Sequence, residues 1–165
     1  MKSYTEKLIN DWKKNAQKLE NQNFYFIRKL KFKNANKVDR IAQSLHQETF
    51  EKIDCTQCAN CCKHTHPLFT QKDIERVAKH VGLSEEEFKK QYWELDRGEY
   101  YTKELPCVFL SDNRCSIYEI RPEACQSYPF THKKDFATRS HVHSANTLIC
   151  PAVFHIVERM KQSFR

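Results

Sequence analysis

The residues of this 165-residue chain best suited to chemistry are its eight cysteines. Four of them follow the spacing C-x-x-C-x-x-C-C, and the other four come later at wider intervals. Thiolates spaced two residues apart can bind one soft metal centre, because a tight turn directs their sulfurs inward at bond lengths of about 2.3 Å. We therefore predict that all eight ligate metal: Cys55, Cys58, Cys61, Cys62, Cys107, Cys115, Cys125 and Cys150.

Two of these cysteines, Cys61 and Cys62, are adjacent, which limits how the sulfurs are shared. Successive side chains point to opposite faces of an extended segment and diverge even in a turn, so both seldom bind one mononuclear site. We expect one of the pair to face a second site. Eight thiols suit two four-sulfur centres, and one cluster with several spare or redox-active cysteines fits equally well. In that second case Cys62 is the first candidate for a non-ligand.

The spacing also bears on which metal is bound. Zinc sites usually combine two C-x-x-C pairs, and only the first segment of this chain offers that spacing. Three cysteines at C-x-x-C-x-x-C followed by a remote Cys-Pro are typical of ferredoxin-type [4Fe–4S] sites, and Cys150-Pro151 supplies the remote pair. The pattern favours an iron–sulfur cluster, with zinc as the alternative.

The cysteines stand in longer sequence blocks that follow one another in a definite order. The blocks are Cys55-Thr56-Gln57-Cys58-Ala59-Asn60-Cys61-Cys62, Pro106-Cys107-Val108-Phe109-Leu110, Cys115-Ser116-Ile117-Tyr118-Glu119-Ile120-Arg121-Pro122-Glu123-Ala124-Cys125 and Tyr128-Pro129-Phe130. Their order and spacing resemble the YkgJ-type cysteine-cluster family, over about residues 50–155. The resemblance implies that the matching cysteines chelate zinc or iron. Flagellin lysine N-methylases contain a related cysteine-rich region.

Two positions depart from that family's pattern. Many relatives have Gly before the Cys-Cys pair, where this chain has Asn60. Asn tolerates a left-handed backbone, so we expect the turn to be kept. Relatives often carry Arg after the cysteine of the RP-x-x-C block, whereas Gln126 stands here.

Four histidines lie at a spacing that could add ligands. They form two His-x-His pairs, His64 with His66 and His141 with His143. In a strand, both rings of such a pair face one side and could complete an open metal site. Exposed polar histidines are the more common interpretation, so these four stay outside the predicted ligand set.

The elements that would position these residues are mainly helical. We predict a mainly α fold with a short β-hairpin, in which a small metal-pinned cysteine-rich domain (residues 51–165) carries a basic helical N-terminal arm (residues 1–50). The first fifty residues contain no Pro or Gly and have apolar side chains at nearly helical spacing. A break between two helices is expected at residues 21–23. A closing helix is predicted over residues 152–162.

The middle of the chain carries clearer local signals. Capping boxes at Thr70 and Ser84 indicate the starts of two helices, the second of which we extend to Leu95. Residues 107–118 contain two short apolar runs around a polar turn, which predicts a hairpin. Residues 131–147 lack clear periodicity and are predicted as loop.

The net charge of +7 is concentrated near the N-terminus. Residues 1–37 hold ten Lys/Arg against three Asp/Glu, whereas residues 38–165 are balanced. A metal centre with four thiolates carries about −2, so the arm could be an internal counter-charge or a docking surface for an acidic protein partner. Nucleic acid is the less favoured partner, because a solvated helix face explains the same residues.

The N-terminal residues do not resemble an export signal. Residues 1–19 lack the apolar region and cleavage site of a secretory signal, and no stretch is long and apolar enough to span a bilayer. We therefore expect a soluble cytoplasmic protein. In that reducing compartment, dense cysteines are better explained by metal binding than by disulfides.

Three classes of function remain open. The favoured one is a metal-binding protein whose biological role the sequence does not define. The second is a metal-dependent redox or protein-modifying enzyme of the methylase kind, and the third is a metal-stabilised interaction module for an acidic partner. Because Gly82 and Gly98 are the only glycines, a glycine-rich nucleotide-binding loop is not expected. Whether the protein is an enzyme stays open.

Overall fold

The described chain is mainly α-helical with short antiparallel strands, as the sequence predicts. A computed structural model describes residues 3–165, with all side chains except those of Asp96 and Glu99. Its α-helices are α1 (Tyr4–Asn15), α2 (Glu20–Lys29), α3 (Ala35–Phe50), α4 (Asn60–His64), α5 (Gln71–Val81), α6 (Glu85–Tyr92), α7 (Glu123–Ser127), α8 (Ser140–Thr147) and α9 (Pro151–Ser163). Its strands are β1 (Leu68–Phe69), β2 (Trp93–Asp96), β3 (Glu99–Thr102), β4 (Leu110–Ser111) and β5 (Arg114–Cys115). Short 3₁₀ turns lie at Leu30–Phe32, Cys55–Gln57, Tyr118–Ile120 and Phe136–Arg139.

The described residues divide into two compact units. The terminal unit contains both ends of the chain, up to Cys58 and from Pro129 onward, and the central unit is the continuous segment Ala59–Tyr128. The eight cysteines are therefore distributed over both units. The division into an arm and a metal-binding domain at residue 50 stays a prediction.

Helix α9 is the centre of the terminal unit. Helices α1, α3 and α8 pack against it, and α2 packs against both α8 and α9. Apolar residues occupy nearly every position in the first half of α9, and a helix that is apolar all round has to be buried. The core residues of the unit are Ile27, Leu30, Val38, Ala42, Leu45, Phe136, Val153, Ile156, Val157 and Met160.

Within residues 3–165, no helix is both long and apolar enough to cross a membrane.

Helix α8 lies where the sequence predicts a loop over residues 131–147. Its buried face consists of Ser140, His143, Asn146 and Thr147, each at most 5% exposed. A helix whose buried face is polar has no apolar periodicity, so the pattern that identifies the other helices is missing. The loop prediction was therefore wrong for residues 136–147, whereas residues 131–135 lie outside any helix or strand. The predicted closing helix is confirmed as α9.

The break between the first two helices also differs from the prediction. Residues 21–23 lie inside α2, and the chain turns at residues 16–19 instead. Asn23 is fully buried in the terminal unit and does not lie in a turn. The observed turn contains neither Gly nor Pro, so the sequence carries no local signal for it.

In the central unit, α5 and α6 begin with the predicted capping boxes. Thr70 Oγ1 accepts the Asp73 N–H at 3.2 Å, and Ser84 Oγ accepts the Glu87 N–H at 3.3 Å. Helix α5 ends at Gly82, whose φ of 76° would strain a residue with a side chain. The two helices pack beside an antiparallel sheet in the order β1-β3-β2.

The core of the central unit is largely aromatic. Phe88 is fully buried, and its ring meets the Trp93 ring edge-on at 5.4 Å between centroids. The Phe69 ring lies 4.0 Å from the Trp93 ring. Cys107 and Cys115 pack against this core, so aromatic burial also determines where two of the predicted ligands lie.

Two hairpins lie in the central unit, and the sequence analysis predicts one of them. Strands β4 and β5 confirm the hairpin within residues 107–118, and its turn residues Asp112 and Asn113 are both left-handed, at φ 46° and 60°. The second hairpin, β2–β3, starts directly after α6. Leu95 therefore belongs to a strand, and its assignment to the helix was wrong. The left-handed Gly98 in its turn is a signal that could have identified it.

The aromatic core makes a direct prediction for Phe88→Ala. We expect a loss of about 3–5 kcal/mol in the free energy of unfolding, because removal of a buried ring leaves a cavity. Chemical denaturation followed by tryptophan fluorescence measures the loss, since Trp93 contacts the ring. Leu95→Ala is the control: that side chain is 63% exposed, so the change should stay within about 0.5 kcal/mol. Equal effects of both substitutions would contradict the assigned core.

Candidate metal centre

Cys61 and Cys62 lie on the first turn of α4, which begins after a left-handed residue. Ala59 adopts φ 49° and ψ 22° just before the helix, and Asn60 is already helical. The prediction that Asn60 is the left-handed residue was therefore wrong by one position. Left-handed backbone is unfavourable for a residue with a Cβ, so the surrounding structure must hold Ala59, which is 7% exposed, in this conformation.

Four thiols of the central unit form a group that we call the central thiol set: Cys62, Cys107, Cys115 and Cys125. They come from α4, the loop before β4, strand β5 and α7. The Cys107 N–H donates to the Cys62 carbonyl oxygen at 2.9 Å, which joins that loop to α4. Folding thus brings together cysteines from four separate elements.

The thiols of the central thiol set lie close enough together for the charge of one to raise the pKa of another. Burial, together with the charge of a nearby Cys62 thiolate, raises the pKa of Cys107 to about 11 and the pKa of Cys125 to about 12. Burial and the same neighbour also raise the pKa of Cys115. These three side chains are protonated thiols at neutral pH.

Cys62 differs from the other members of the set. Its Sγ lies 3.8 Å from the Cys61 Sγ, and the hydrogen bond between them lowers the pKa of Cys62 to about 7. Two thiolates bound to one ion at about 2.3 Å would also lie roughly 3.8 Å apart. The two sulfurs are therefore closer than the sequence argument expects, and adjacency alone does not divide them between two centres.

Backbone amides donate hydrogen bonds to two of these sulfurs. Burial raises the pKa of Cys107 and Cys115, and the N–H groups of Phe109 and Ile117, respectively, act in the opposite direction. In both cases the donor lies two residues after the cysteine. Such bonds stabilise the thiolate, which is the form that binds metal.

Helix α7, which carries Cys125, is held in place by two residues of α5. Asp73 Oδ1 accepts hydrogen bonds from the Arg76 guanidinium at 2.7 Å and from the Glu123 N–H at 3.3 Å. Arg76 also donates to the Arg121 carbonyl oxygen at 3.1 Å. From the sequence, Asp73 is recognisable only as a helix cap, because its contact with the start of α7 joins residues 50 positions apart. We call this arrangement the α7 clamp.

Arg121 brings positive charge close to the central thiol set. Its Nη1 donates to the Tyr118 carbonyl oxygen at 2.6 Å, and the guanidinium lies 3.8 Å from the centroid of the Tyr118 ring. Burial raises the pKa of Cys115 and Cys125, and the charge of Arg121 opposes that rise. The guanidinium therefore offsets part of the negative charge that these sulfurs would carry as thiolates.

In the terminal unit, Cys55, Cys58 and Cys150 form a second group, the terminal thiol set. Burial raises the pKa of Cys150 to about 12, and the charges of Cys55 and Cys58 contribute to the rise. Cys150 is the residue before α9, and the N–H groups of Ala152 and Val153 donate to its sulfur. The start of this helix therefore presents donors that favour a thiolate.

Helix α1 holds both parts of the terminal thiol set. Thr5 Oγ1 accepts the N–H of Asp54, the residue before Cys55, at 2.9 Å. Trp12 Nε1 donates to the carbonyl oxygen of Thr147, at the end of α8, also at 2.9 Å. The sequence carries no sign that α1 contacts the cysteine segments, because a hydroxyl that bonds to a backbone group 49 residues away leaves no pattern.

All eight cysteines are free thiols. Within residues 3–165, no three His, Cys, Asp or Glu side chains are already placed so that they could hold one metal ion. The two thiol sets are therefore groups of neighbouring thiols and not finished coordination sites. The assignment of all eight cysteines as ligands stays a prediction.

The first histidine pair is tied to the backbone of the central unit. His64 is the last residue of α4, and its Nδ1 donates to the Asn60 carbonyl oxygen at 2.9 Å. His66 Nδ1 donates to the Thr102 carbonyl oxygen at 2.7 Å. One nitrogen of each ring is thus engaged.

The second histidine pair does not have the geometry that its spacing suggests. His141 and His143 lie on α8 and not on a strand, so their side chains do not share a face. His143 is fully buried, and its ring stacks on the Phe136 ring at 3.9 Å between centroids. Burial lowers the pKa of His143 to about 4, with contributions from Arg139 and His141, so its ring is neutral.

Comparison with known proteins agrees with the cysteine pattern. The family model CxxCxxCC, described as a "putative zinc- or iron-chelating domain", matches residues 54–144, which is more than half of the chain. The chain belongs to this family, the one that its sequence blocks resemble. No solved structure matches the chain significantly. Chelation of zinc or iron is thus the property that the family indicates.

The α7 clamp predicts the effect of Asp73→Asn. Asparagine lacks the negative charge that pairs with Arg76, and its NH₂ group would face the Thr70 N–H that the Asp73 Oδ2 accepts, so we expect a loss of about 2 kcal/mol in the free energy of unfolding. Cys125 should also react faster with a thiol-alkylating reagent, because α7 is released. Mass spectrometry after timed alkylation measures that rate. Glu75→Gln, on the exposed side of α5, is the matched control. Unchanged alkylation of Cys125 would contradict the clamp.

The raised thiol pKa values predict how the metal-free protein responds to alkaline pH. In the unfolded chain a cysteine thiol has its ordinary pKa of 9.0 and loses its proton above that pH. In the folded state, three thiols keep their protons to higher pH: Cys107, Cys125 and Cys150. Their contribution to stability is complete below about pH 8.5 and is lost as pH rises toward their folded pKa values. Cys62 acts oppositely, adding stability between about pH 7 and 9.

Anaerobic urea denaturation with reductant and chelator at several pH values measures this dependence. Between about pH 9 and 10, each such thiol should make stability fall by up to about 1.4 kcal/mol per pH unit. Cys125→Ala should make the fall less steep. An identical pH dependence in Cys125→Ala and the wild type would contradict a raised pKa at that position.

Proposed function

We propose that this chain is a metal-binding protein that holds iron–sulfur clusters, with zinc as the alternative metal. The central thiol set supplies the four ligands of one centre, and the terminal thiol set supplies ligands of a second. Cys61 is a further ligand. It is proposed only because it completes a C-x-x-C spacing with Cys58.

The observation that carries this proposal is the proximity of the four thiols: the Cys107 N–H donates to the Cys62 carbonyl oxygen, and the charge of Cys62 raises the pKa of the other three thiols. Four sulfur ligands are the full complement of a structural zinc site or of a [4Fe–4S] cluster. A catalytic zinc site, by contrast, keeps one position open for water or substrate. The number of thiols therefore supports a closed, structural or electron-carrying centre more than a hydrolytic one.

Metal binding requires these buried thiols to lose their protons. Cys62, whose pKa is about 7, is the member that offers a thiolate near neutral pH. Cys107, Cys115 and Cys125 ionise only when a cation offsets the cost of burying their charge. A bound cluster would supply that positive charge and an electron-accepting centre. Arg121 and the amides of Phe109 and Ile117 would stabilise the remaining negative charge on the sulfurs.

Two features favour iron–sulfur over zinc. No two cysteines of the central thiol set are separated by two residues, so the set lacks the C-x-x-C pairs that zinc sites usually combine. The first cysteines follow C-x-x-C-x-x-C, and Cys150-Pro151 matches the remote Cys-Pro of ferredoxin-type sites. The largely aromatic core beside Cys107 and Cys115 would also limit the access of water to a cluster, which affects its reduction potential.

Elemental analysis of anaerobically purified protein tests the proposed metal. We expect iron and acid-labile sulfide in equal amounts, about four of each per cluster, with a broad absorption band near about 400 nm. A colourless protein that contains zinc would contradict the iron assignment and keep the thiol sites. Protein that contains neither metal after anaerobic purification, and takes up neither on anaerobic reconstitution, would contradict both.

Single cysteine substitutions test whether there are two centres. Cys107→Ser removes a ligand of the central thiol set and Cys150→Ser one of the terminal thiol set, so each should remove about half of the bound metal. The double substitution should remove nearly all of it. Ser116→Ala changes an exposed residue next to Cys115 and should retain the full content. Loss of all metal in either single variant would indicate one shared centre, and loss of none would contradict these ligands.

A further inference from the structure

A stretch of the terminal unit outside the matched family region carries positive charge with no acidic residue. Between Glu20 and Asp39 the sequence has no Asp or Glu, and it has five Lys/Arg residues. They are Arg28, Lys29, Lys31, Lys33 and Lys37, and all five are exposed. The carboxylate of Asp39 accepts two backbone N–H groups, from Asp135 and Phe136, at 2.8 and 2.9 Å. The Asp39 carboxylate is therefore already engaged within the terminal unit.

The most exposed large apolar side chain of the described residues lies in the middle of this stretch. Phe32 is 89% exposed and ends the 3₁₀ turn Leu30–Phe32 between α2 and α3. Leu30, two residues earlier, is 1% exposed and belongs to the core of the terminal unit. Burial of Leu30 thus fixes the turn on the terminal unit, and Phe32 projects into solvent between Lys31 and Lys33. We call Phe32 and the four basic residues at positions 28, 29, 31 and 33 the basic knob.

Among the described residues, the basic side chains of the knob have no acidic partner. In the part of the chain that the structure describes, Arg28, Lys29, Lys31 and Lys33 form no salt bridge. The Arg28 guanidinium lies over the Phe24 ring, 5.2 Å from its centroid. An aromatic ring does not neutralise the charge of the guanidinium. Unpaired positive charge around an exposed aromatic ring is a surface suited to an anionic partner.

We propose that the basic knob docks the protein on an anionic lipid surface, with Phe32 inserted among the acyl chains and the lysines at the headgroups. Lysine stems lie along apolar surface while their ammonium groups stay in water, which suits this arrangement. Each Lys or Arg close to an anionic membrane adds to the attraction, and the attraction is screened by salt. Since the turn is already ordered by Leu30, little conformational entropy is lost on docking.

Two features favour a lipid surface over a folded acidic protein or a nucleic acid. Three of the four basic residues of the knob are lysines, which are depleted at the centres of protein–protein interfaces and act as point charges without directional demands. A projecting ring fits a fluid surface without needing a matching pocket. Single-stranded nucleic acid is usually bound on a groove with several stacking rings. The basic knob has one ring, Phe32, and the next exposed ring, that of Tyr25, lies on α2 and is less exposed, at 62%.

Vesicle flotation with the whole 165-residue chain tests this proposal. We expect binding to phosphatidylcholine vesicles that contain about 30% phosphatidylserine, no binding to pure phosphatidylcholine, and loss of binding at about 0.5 M salt. Phe32→Ala should weaken binding about tenfold and Lys31→Gln about fivefold. In Phe32→Trp, the added fluorescence should shift to shorter wavelength when anionic vesicles are present, because the ring leaves water.

Matched controls separate the knob from general charge and hydrophobicity. Lys72→Gln and Lys79→Gln remove exposed charges from α5, and Leu95→Ala removes an exposed apolar side chain. These changes should leave vesicle binding within about twofold. Circular dichroism should be unchanged in all variants, because every substituted side chain is exposed.

Three results would overturn the proposal. The first is binding that does not distinguish anionic from neutral vesicles, or no binding to either. The second is wild-type affinity in Phe32→Ala. The third is retention on poly(U) or on polyglutamate that depends on Phe32 while vesicles are not bound, which would assign the basic knob to nucleic acid or to an acidic protein. The metal content of the protein does not enter these measurements, so they stand apart from the test of the metal centres.

Discussion

Buried thiols resist ionisation, and the arrangement of the central unit depends on that constraint. The aromatic core takes Cys107 and Cys115 out of water, and their pKa values rise as a consequence. The same unit supplies backbone donors to both sulfurs and the guanidinium of Arg121 near Cys115. Burial thus opposes the thiolate while specific contacts favour it, and the balance is changed by a cation among the sulfurs. In a group of thiols held in this way, the protonated form is favoured without a cation and the thiolate form is favoured with one.

Some elements of the two units are determined by neighbouring residues and others by packing, and the sequence predicts mainly the first kind. Capping boxes, the left-handed Gly82 and the Asp112-Asn113 turn are decided by neighbouring residues, so they could be predicted. Helix α8 could not, because its buried face is polar and its position follows from packing against α2 and α9. Secondary structure that depends on tertiary burial has no local signature. The same reason explains the misplaced break at residues 21–23.

The cysteines of the candidate site could be identified from spacing, but their grouping could not. Spacing links Cys58 with Cys61, whereas folding brings Cys62 close to three cysteines that lie far along the chain. That grouping depends on the hydrogen bond from Cys107 to the Cys62 carbonyl oxygen and on the α7 clamp. Both join residues more than forty positions apart, and such contacts leave no periodic pattern.

The terminal unit consists of two segments of the chain on either side of the central unit, and this has a consequence for how the protein is synthesised. The central unit is continuous, so all of its residues are available before translation reaches α9. The terminal unit lacks its central helix until translation has passed the whole central unit and reached α9. Cys55 and Cys58 therefore leave the ribosome before the central unit and remain without Cys150 until after it. If the two thiol sets bind metal as proposed, this order would let the central thiols be filled first and the terminal ones only after Cys150 has emerged.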